Sequence, residues 1–167
     1  MSVTGSREAE RKFEAADGVG VPEHVGDGLT IEPAAEVHLV ATYYDTAGLR
    51  LLRHGATLRH RTGEGDADGW HLKLPAGPDA RDELHVAGDP GPVPPELLVL
   101  VRAHLGCAVP APVAELRTTR IRRAVVDASG RHVAELDDDT VGVARAGGRA
   151  GAGHPRLAPR RHRHRAR

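Results

Sequence analysis

Polar and apolar residues alternate along much of the chain with the period of two that a strand requires. "GATLRHR" (55–61) sets Thr57, Arg59 and Arg61 on one side. "GWHLKLP" (69–75) sets His71 and Lys73 against Trp70, Leu72 and Leu74, and a Gly/Asp-rich loop, "TGEGDADG", joins these two segments. "RDELHV" (81–86) separates Arg81, Glu83 and His85 from their apolar neighbours. "HLVATYYDT" (38–46), "LRTTRIRRAVVD" (116–127) and "RHVAEL" (131–136) complete the predicted strands, the last two joined by an "ASG" turn suited to a hairpin. One segment has helical spacing instead. In "PPELLVLVRAHLG" (94–106) Leu97, Leu98, Val101 and Leu105 share a face, prolines open the helix and Gly106 can end it. A weaker helix or turn is expected around residues 48–54, and no internal repeat is present. The class this predicts is mainly β, of the α+β type.

The charged positions give these strands an unusual property. In "EAERKF" the residues Glu8, Glu10 and Lys12 would spread over about 200° of a helix, but on a strand all three point to one side. Several strands thus carry charge on one face. If such a sheet closes with its charged faces inward, the result is a barrel lined by charge rather than filled by a core.

Composition restricts the partners. The chain has 167 residues, 28% of them charged and 40% hydrophobic, which suits one soluble domain with a core. A single cysteine, Cys107, excludes an intrachain disulfide and a multi-cysteine zinc site and points to a reducing, cytoplasmic setting. No run reaches the roughly 18 apolar residues of a membrane span, so no membrane partner is expected. The net charge of zero hides two unlike parts. Residues 1–143 hold 23 acids against 15 lysines and arginines, whereas 144–167 hold eight arginines and no acid. That tail, almost entirely Ala, Gly, Arg, His and Pro, is expected to be low-complexity and disordered, with the domain proper at 1–143. Nucleic acid is expected to bind only non-specifically, through this basic tail, because the body offers no basic face interleaved with aromatics.

The ordered blocks "EAERKF", "ATYYDT", "LLRHGATLRHR", "WHLKLP", "RDE", "LRTTRIRR" and "AELDDDTV" resemble the CYTH superfamily, also called triphosphate tunnel metalloenzymes, over about residues 7–143. The resemblance implies an eight-stranded antiparallel tunnel barrel that binds triphosphate or polyphosphate through basic side chains, with Mg²⁺ or Mn²⁺ held by carboxylates. It assigns Lys12, Arg59, Arg61, Lys73, Arg120 and Arg122 to the anion, Glu8, Glu10, Glu135 and Asp137 to the metal, and Glu83 to the tunnel wall as a further carboxylate. The chemistry agrees with those roles. Arginine forks match phosphate oxygens, lysine supplies a point charge, and carboxylates are hard ligands for Mg²⁺ or Mn²⁺. The chain has only two lysines, Lys12 and Lys73, and both fall on these motifs.

The pattern also departs from the family. No carboxylate follows Asp139, where a closing strand with another acidic pair is expected, so the barrel could be incomplete and C-shaped. Truncation, a frameshift or natural divergence would each account for the change of composition at 144. The resemblance implies a metal-dependent triphosphatase acting on inorganic, nucleoside or thiamine triphosphate, with a non-catalytic polyphosphate-binding module and an adenylate cyclase as alternatives. No single general base is assigned.

Overall fold

The computed structural model describes residues 3–6, 11–14, 26–33, 35–77, 80–145 and 161–166. In chain order its elements are β1 (Val3–Ser6), β2 (Arg11–Glu14), β3 (Leu29–Ile31), β4 (Ala35–Asp45), α1 (Arg50–Arg53), β5 (Thr57–Thr62), β6 (Gly69–Pro75), β7 (Arg81–Val86), α2 (Pro95–Leu105), β8 (Ala111–Asp127), β9 (His132–Arg145) and β10 (Arg161–Ala166). The fold is mainly antiparallel β with two helices, as the alternation predicts. The chain divides into two compact units, one made of Met1–Arg7, Leu39–Leu116 and Val143–Arg156, the other of Glu8–His38, Arg117–Gly142 and Leu157–Arg167.

In the first unit the strands run in the order β1-β7-β6-β5-β4, all antiparallel. Their register explains why the alternation matters. Across the sheet Leu58 lies beside Leu72, which lies beside Leu84, and Trp70 lies between His60 and Val86. This apolar face packs on the two helices in a cluster of Leu51, Ala56, Leu58, Trp70, Leu72, Val86, Val93, Leu97, Val101 and Leu105. Burying each such large side chain stabilises by about 1.5–3 kcal/mol. Tyr44 and Trp70 meet here with ring centroids 4.8 Å apart, and Trp70 Nε1 donates to the Asp89 carbonyl at 3.3 Å. Both are therefore packing residues.

The two helices are held by local chemistry. Pro95 opens α2 where no backbone donor is needed, and Gly106, at φ 63°, ends it by donating to the Arg102 carbonyl at 2.9 Å. The one-turn α1 has orphan donors of its own, which buried Asp45 satisfies: Oδ1 accepts from the Thr46 and Leu51 amides and Oδ2 from that of Leu52. Arg50 Nη1 then donates to the Leu105 carbonyl at 2.8 Å, which ties α1 to the end of α2.

Gly69 fixes the start of β6. Its φ is +133°, and a Cβ there would lie 2.6 Å from the Val86 carbonyl oxygen of β7 and 3.1 Å from His85 Nε2. Gly69→Ala is expected to lower stability by about 3 kcal/mol, because neither the backbone conformation nor the neighbouring carbonyl can yield cheaply. Denaturant unfolding would check this, and a loss below about 1 kcal/mol would contradict it.

In the second unit the order is β8-β9-β10-β2, with β3 on the other edge of β8. The expected β8–β9 hairpin forms. Gly130 takes φ +80° and donates to the Asp127 carbonyl at 2.8 Å, while the Asp127 carboxylate accepts from the Ser129 and Arg131 amides. Strands β8 and β9 are longer than the sequence predicts, at Ala111–Asp127 and His132–Arg145.

Neither unit's strand order closes on itself among the described residues, in line with the expectation of an incomplete barrel. Residues 161–166 form β10, in which Arg163 stands opposite Asp139 of β9 and Glu14 of β2, and Arg165 opposite Asp137 and Lys12. The Arg/His alternation of "RHRHRA" has the period of a strand. Residues 146–160 and 167 lie outside the described residues.

Candidate functional site

The face of the first unit opposite its core carries the charge. The pairing places Tyr43, Arg59, His71 and His85 in one row across β4, β5, β6 and β7, and Lys73 beside Glu83 in the next. Of the residues assigned from sequence, Arg59, Arg61, Lys73 and Glu83 are thus brought together on β5, β6 and β7.

Glu83 is the centre of that group. Its carboxylate lies 2.7 Å from Lys73 Nζ, 3.1 Å from His71 Nδ1 and 4.0 Å from Arg59 Nη2. Burial alone would raise its pKa. The hydrogen bonds from His71 and Lys73, with the charges of Lys73 and Arg59, outweigh burial and hold the carboxyl far below its ordinary range. His71 shifts the other way for a base. Burial lowers its pKa, the arginine charges of Arg61 and Arg59 lower it further, and the hydrogen bonds to Glu83 and the Ala67 carbonyl oppose them. Arg59 also donates to the Tyr43 hydroxyl at 3.3 Å, yet its Nε is buried without a hydrogen-bond partner among the described residues. A buried guanidinium donor lacking an acceptor is a position an anion oxygen can satisfy.

Arg61, at the end of β5, pairs with Glu64 of the following loop, and both side chains are about nine-tenths buried. Glu64, His71, His85 and Tyr43 were not singled out as site residues by sequence. His71 and His85 do stand in the alternating polar sets, but Glu64 has no such signal beyond its spacing of three from Arg61.

The second group belongs to the other unit. On β8, Arg120 grips Asp139 with a two-point fork, Nε to Oδ1 and Nη2 to Oδ2, both at 2.7 Å, and its Nη1 lies 2.9 Å from Asp137 Oδ2, an ion-pair distance without hydrogen-bond alignment. Arg122 is held more loosely, with Nε 3.4 Å from both Glu135 Oε1 and Asp137 Oδ1. Asp137 is 1% exposed. Its burial raises the carboxyl pKa, Arg120 and Arg122 pull it down, and neighbouring Glu135 and Asp139 push it up, with a net rise. Carboxylates are hard oxygen donors, so Glu135 and Asp137 have the chemistry to hold a divalent cation, with Arg120 and Arg122 as their present partners. Among the described residues no three acid, His or Cys side chains converge into a metal cage. Glu8 and Glu10 lie outside the described residues, and Lys12 stands on β2, opposite Arg165.

Comparison with known proteins identifies the family. The model of the CYTH domain matches residues 6–146. The chain is 40% identical over 152 residues to two Mycobacterium tuberculosis proteins, "Uncharacterized protein Rv2226" of strain H37Rv and "Uncharacterized protein MT2285" of strain CDC 1551. The match takes in 87% of this chain but only 29% of each relative, so the chain spans less than a third of their length. Among solved structures, a "putative adenylate cyclase" from Bacillus halodurans superposes with a TM-score of 0.61 at 16% identity, covering 97% of this chain and 80% of that one, a likeness of fold. No helix among the described residues is long and apolar enough to cross a membrane. The match over 6–146, with the shared fold, makes the chain a member of the CYTH domain family, whose members bind triphosphates and generally use divalent metals.

Proposed function

We propose that this chain binds triphosphate or polyphosphate compounds and hydrolyses them with Mg²⁺ or Mn²⁺. The observation that carries this reading is the cluster on β5, β6 and β7: Arg59 and Lys73 share the one carboxylate of Glu83, and Arg59 Nε is a buried donor awaiting an acceptor. A triphosphate carries about four negative charges near neutral pH, so it gains from several fixed cations held before it arrives. In this reading Arg59, Arg61 and Lys73 bind phosphate oxygens, and Lys12, Arg120 and Arg122 keep the anion-binding roles that the family resemblance assigns them. Glu83 holds Lys73 and Arg59 in place while leaving protons to spare. Glu135 and Asp137, with Glu8 and Glu10, would hold the divalent ion, which when bound offsets phosphate charge and activates water. Arg59 and Lys73 orient the terminal phosphoryl group and offset the charge that grows on it as the phosphoanhydride breaks.

Tyr43 is an aromatic residue in the charged row, with its hydroxyl bonded to Arg59. Trp70 and Tyr44 are part of the helix-covered face, so neither offers a stacking platform beside Arg59. Adenylate cyclase activity stays as an alternative reading. A non-catalytic polyphosphate-binding module uses the same cations without turnover.

Phosphate release from inorganic triphosphate, nucleoside triphosphates and thiamine triphosphate, with Mg²⁺ or Mn²⁺, tests the proposal. Metal-dependent release from at least one of them is expected. Tight binding without release would assign the chain as a binding module, and neither binding nor release would contradict the proposal.

A further inference from the structure

The loop between β5 and β6 carries a carboxylate in a position the proposed function does not use. Gly63 and Gly65 take φ +101° and +64°, which turns the chain sharply after Thr62 and lets Glu64 reach back three residues to Arg61. Their side chains are 10% and 9% exposed. The loop is fixed from both ends. The Glu64 amide donates to Asp68 Oδ1 at 2.7 Å and the Asp68 amide to the Gly65 carbonyl at 2.9 Å. Two ring nitrogens of the charged face hold its far side, His71 Nε2 at 2.9 Å from the Ala67 carbonyl oxygen and His85 Nε2 at 3.0 Å from that of Asp68. Gly69 completes the fit by allowing β6 to begin against the Val86 carbonyl. These four hydrogen bonds tie the loop to the sheet, and the turn they hold presents the Glu64 carboxylate to Arg61.

A carboxylate and a phosphate oxygen offer a guanidinium the same kind of acceptor. We propose that Glu64 is an internal competitor for Arg61: it occupies the guanidinium in the free protein and is displaced when a triphosphate binds, so it sets the affinity of the site. This rests on the reading of Arg61 as a triphosphate contact. His71 and His85 act as positioning residues, because they hold the loop that delivers Glu64. The apparent affinity for the anion is then reduced by the fraction of molecules in which Glu64 holds Arg61, and removing the carboxylate restores it.

Titration of inorganic triphosphate by calorimetry into wild type, Glu64→Gln, Arg61→Ala and the double variant tests this, with Glu64→Ser as a second replacement should Gln disturb the fold. Loss of Glu64 is expected to tighten binding by about fivefold or more, and Arg61→Ala to weaken it by about tenfold. In the Arg61→Ala background the Glu64 replacement should have a much smaller effect, since there is no Arg61 guanidinium left to release. If Glu64→Gln tightens binding equally in both backgrounds, Glu64 acts only as a distant negative charge and the competitor is ruled out. If Arg61→Ala weakens binding but neither Glu64 variant tightens it, the competitor is also ruled out while the triphosphate site stands. If Arg61→Ala binds as tightly as wild type, the assignment of Arg61 fails and the competitor with it.

Discussion

Glu83→Gln is expected to lower stability at pH 7 by about 2–3 kcal/mol, although the side chain keeps its shape. The substitution leaves the charges of Lys73 and Arg59 without the carboxylate they share and His71 Nδ1 without its charged partner, and charge-assisted hydrogen bonds of this kind contribute about 1.5–3 kcal/mol. The pH dependence distinguishes this from a packing defect. The carboxyl pKa of Glu83 is held well below its ordinary 4.5, so its contribution is complete above that value and drains away as pH falls toward the folded-state pKa. Urea unfolding of wild type and variant at several pH values should therefore show a gap that is full above about pH 5 and narrows below about pH 4. A gap that is absent at pH 7, or that widens on acidification, would contradict the central place given to Glu83.

The second large effect concerns the anion. Replacing both Arg59 and Lys73 by Ala is expected to weaken binding of inorganic triphosphate by at least about 100-fold, since each removes a charge-assisted contact worth roughly tenfold or more. The two losses need not add, because both side chains lean on the same Glu83 carboxylate. Affinity within a factor of two of wild type, in a double variant with an unchanged circular dichroism spectrum, would remove this face from the account.

How much of this was legible in the sequence depends on which interaction set each feature. Strands β6 and β7 fall where alternation places them, at 69–75 and 81–86, because one face packs on helices and the other does not. The helix at 95–105 was legible for the same reason, with Leu97, Val101 and Leu105 buried as their spacing requires. Alternation also tells which residues share a face, but not which stand opposite one another. That Glu83 rather than Arg81 lies beside Lys73 follows from the β6–β7 register, which the intervening loop sets. The partners of His71 and His85 in the loop are backbone carbonyls of Ala67 and Asp68, which any sequence supplies and none marks. Glu64 was hidden for a related reason. Its contact with Arg61 depends on two glycines at positive φ, and the loop composition predicts a turn without showing which side chain the turn delivers. At residues 161–166 the composition and the period of two in "RHRHRA" point to different readings, and the described residues there form β10. The assignment of Glu8 and Glu10 to a metal rests on the "EAERKF" motif and family membership alone.

Titration of the wild-type chain with inorganic triphosphate, by calorimetry at low and moderate salt and with and without Mg²⁺ or Mn²⁺, tests the central claim most directly. Saturable binding at one site per chain is predicted, weakened by salt because the contacts are ionic and strengthened by the divalent ion through the carboxylates assigned to it. The absence of saturable binding at every salt concentration, with or without metal, would contradict it.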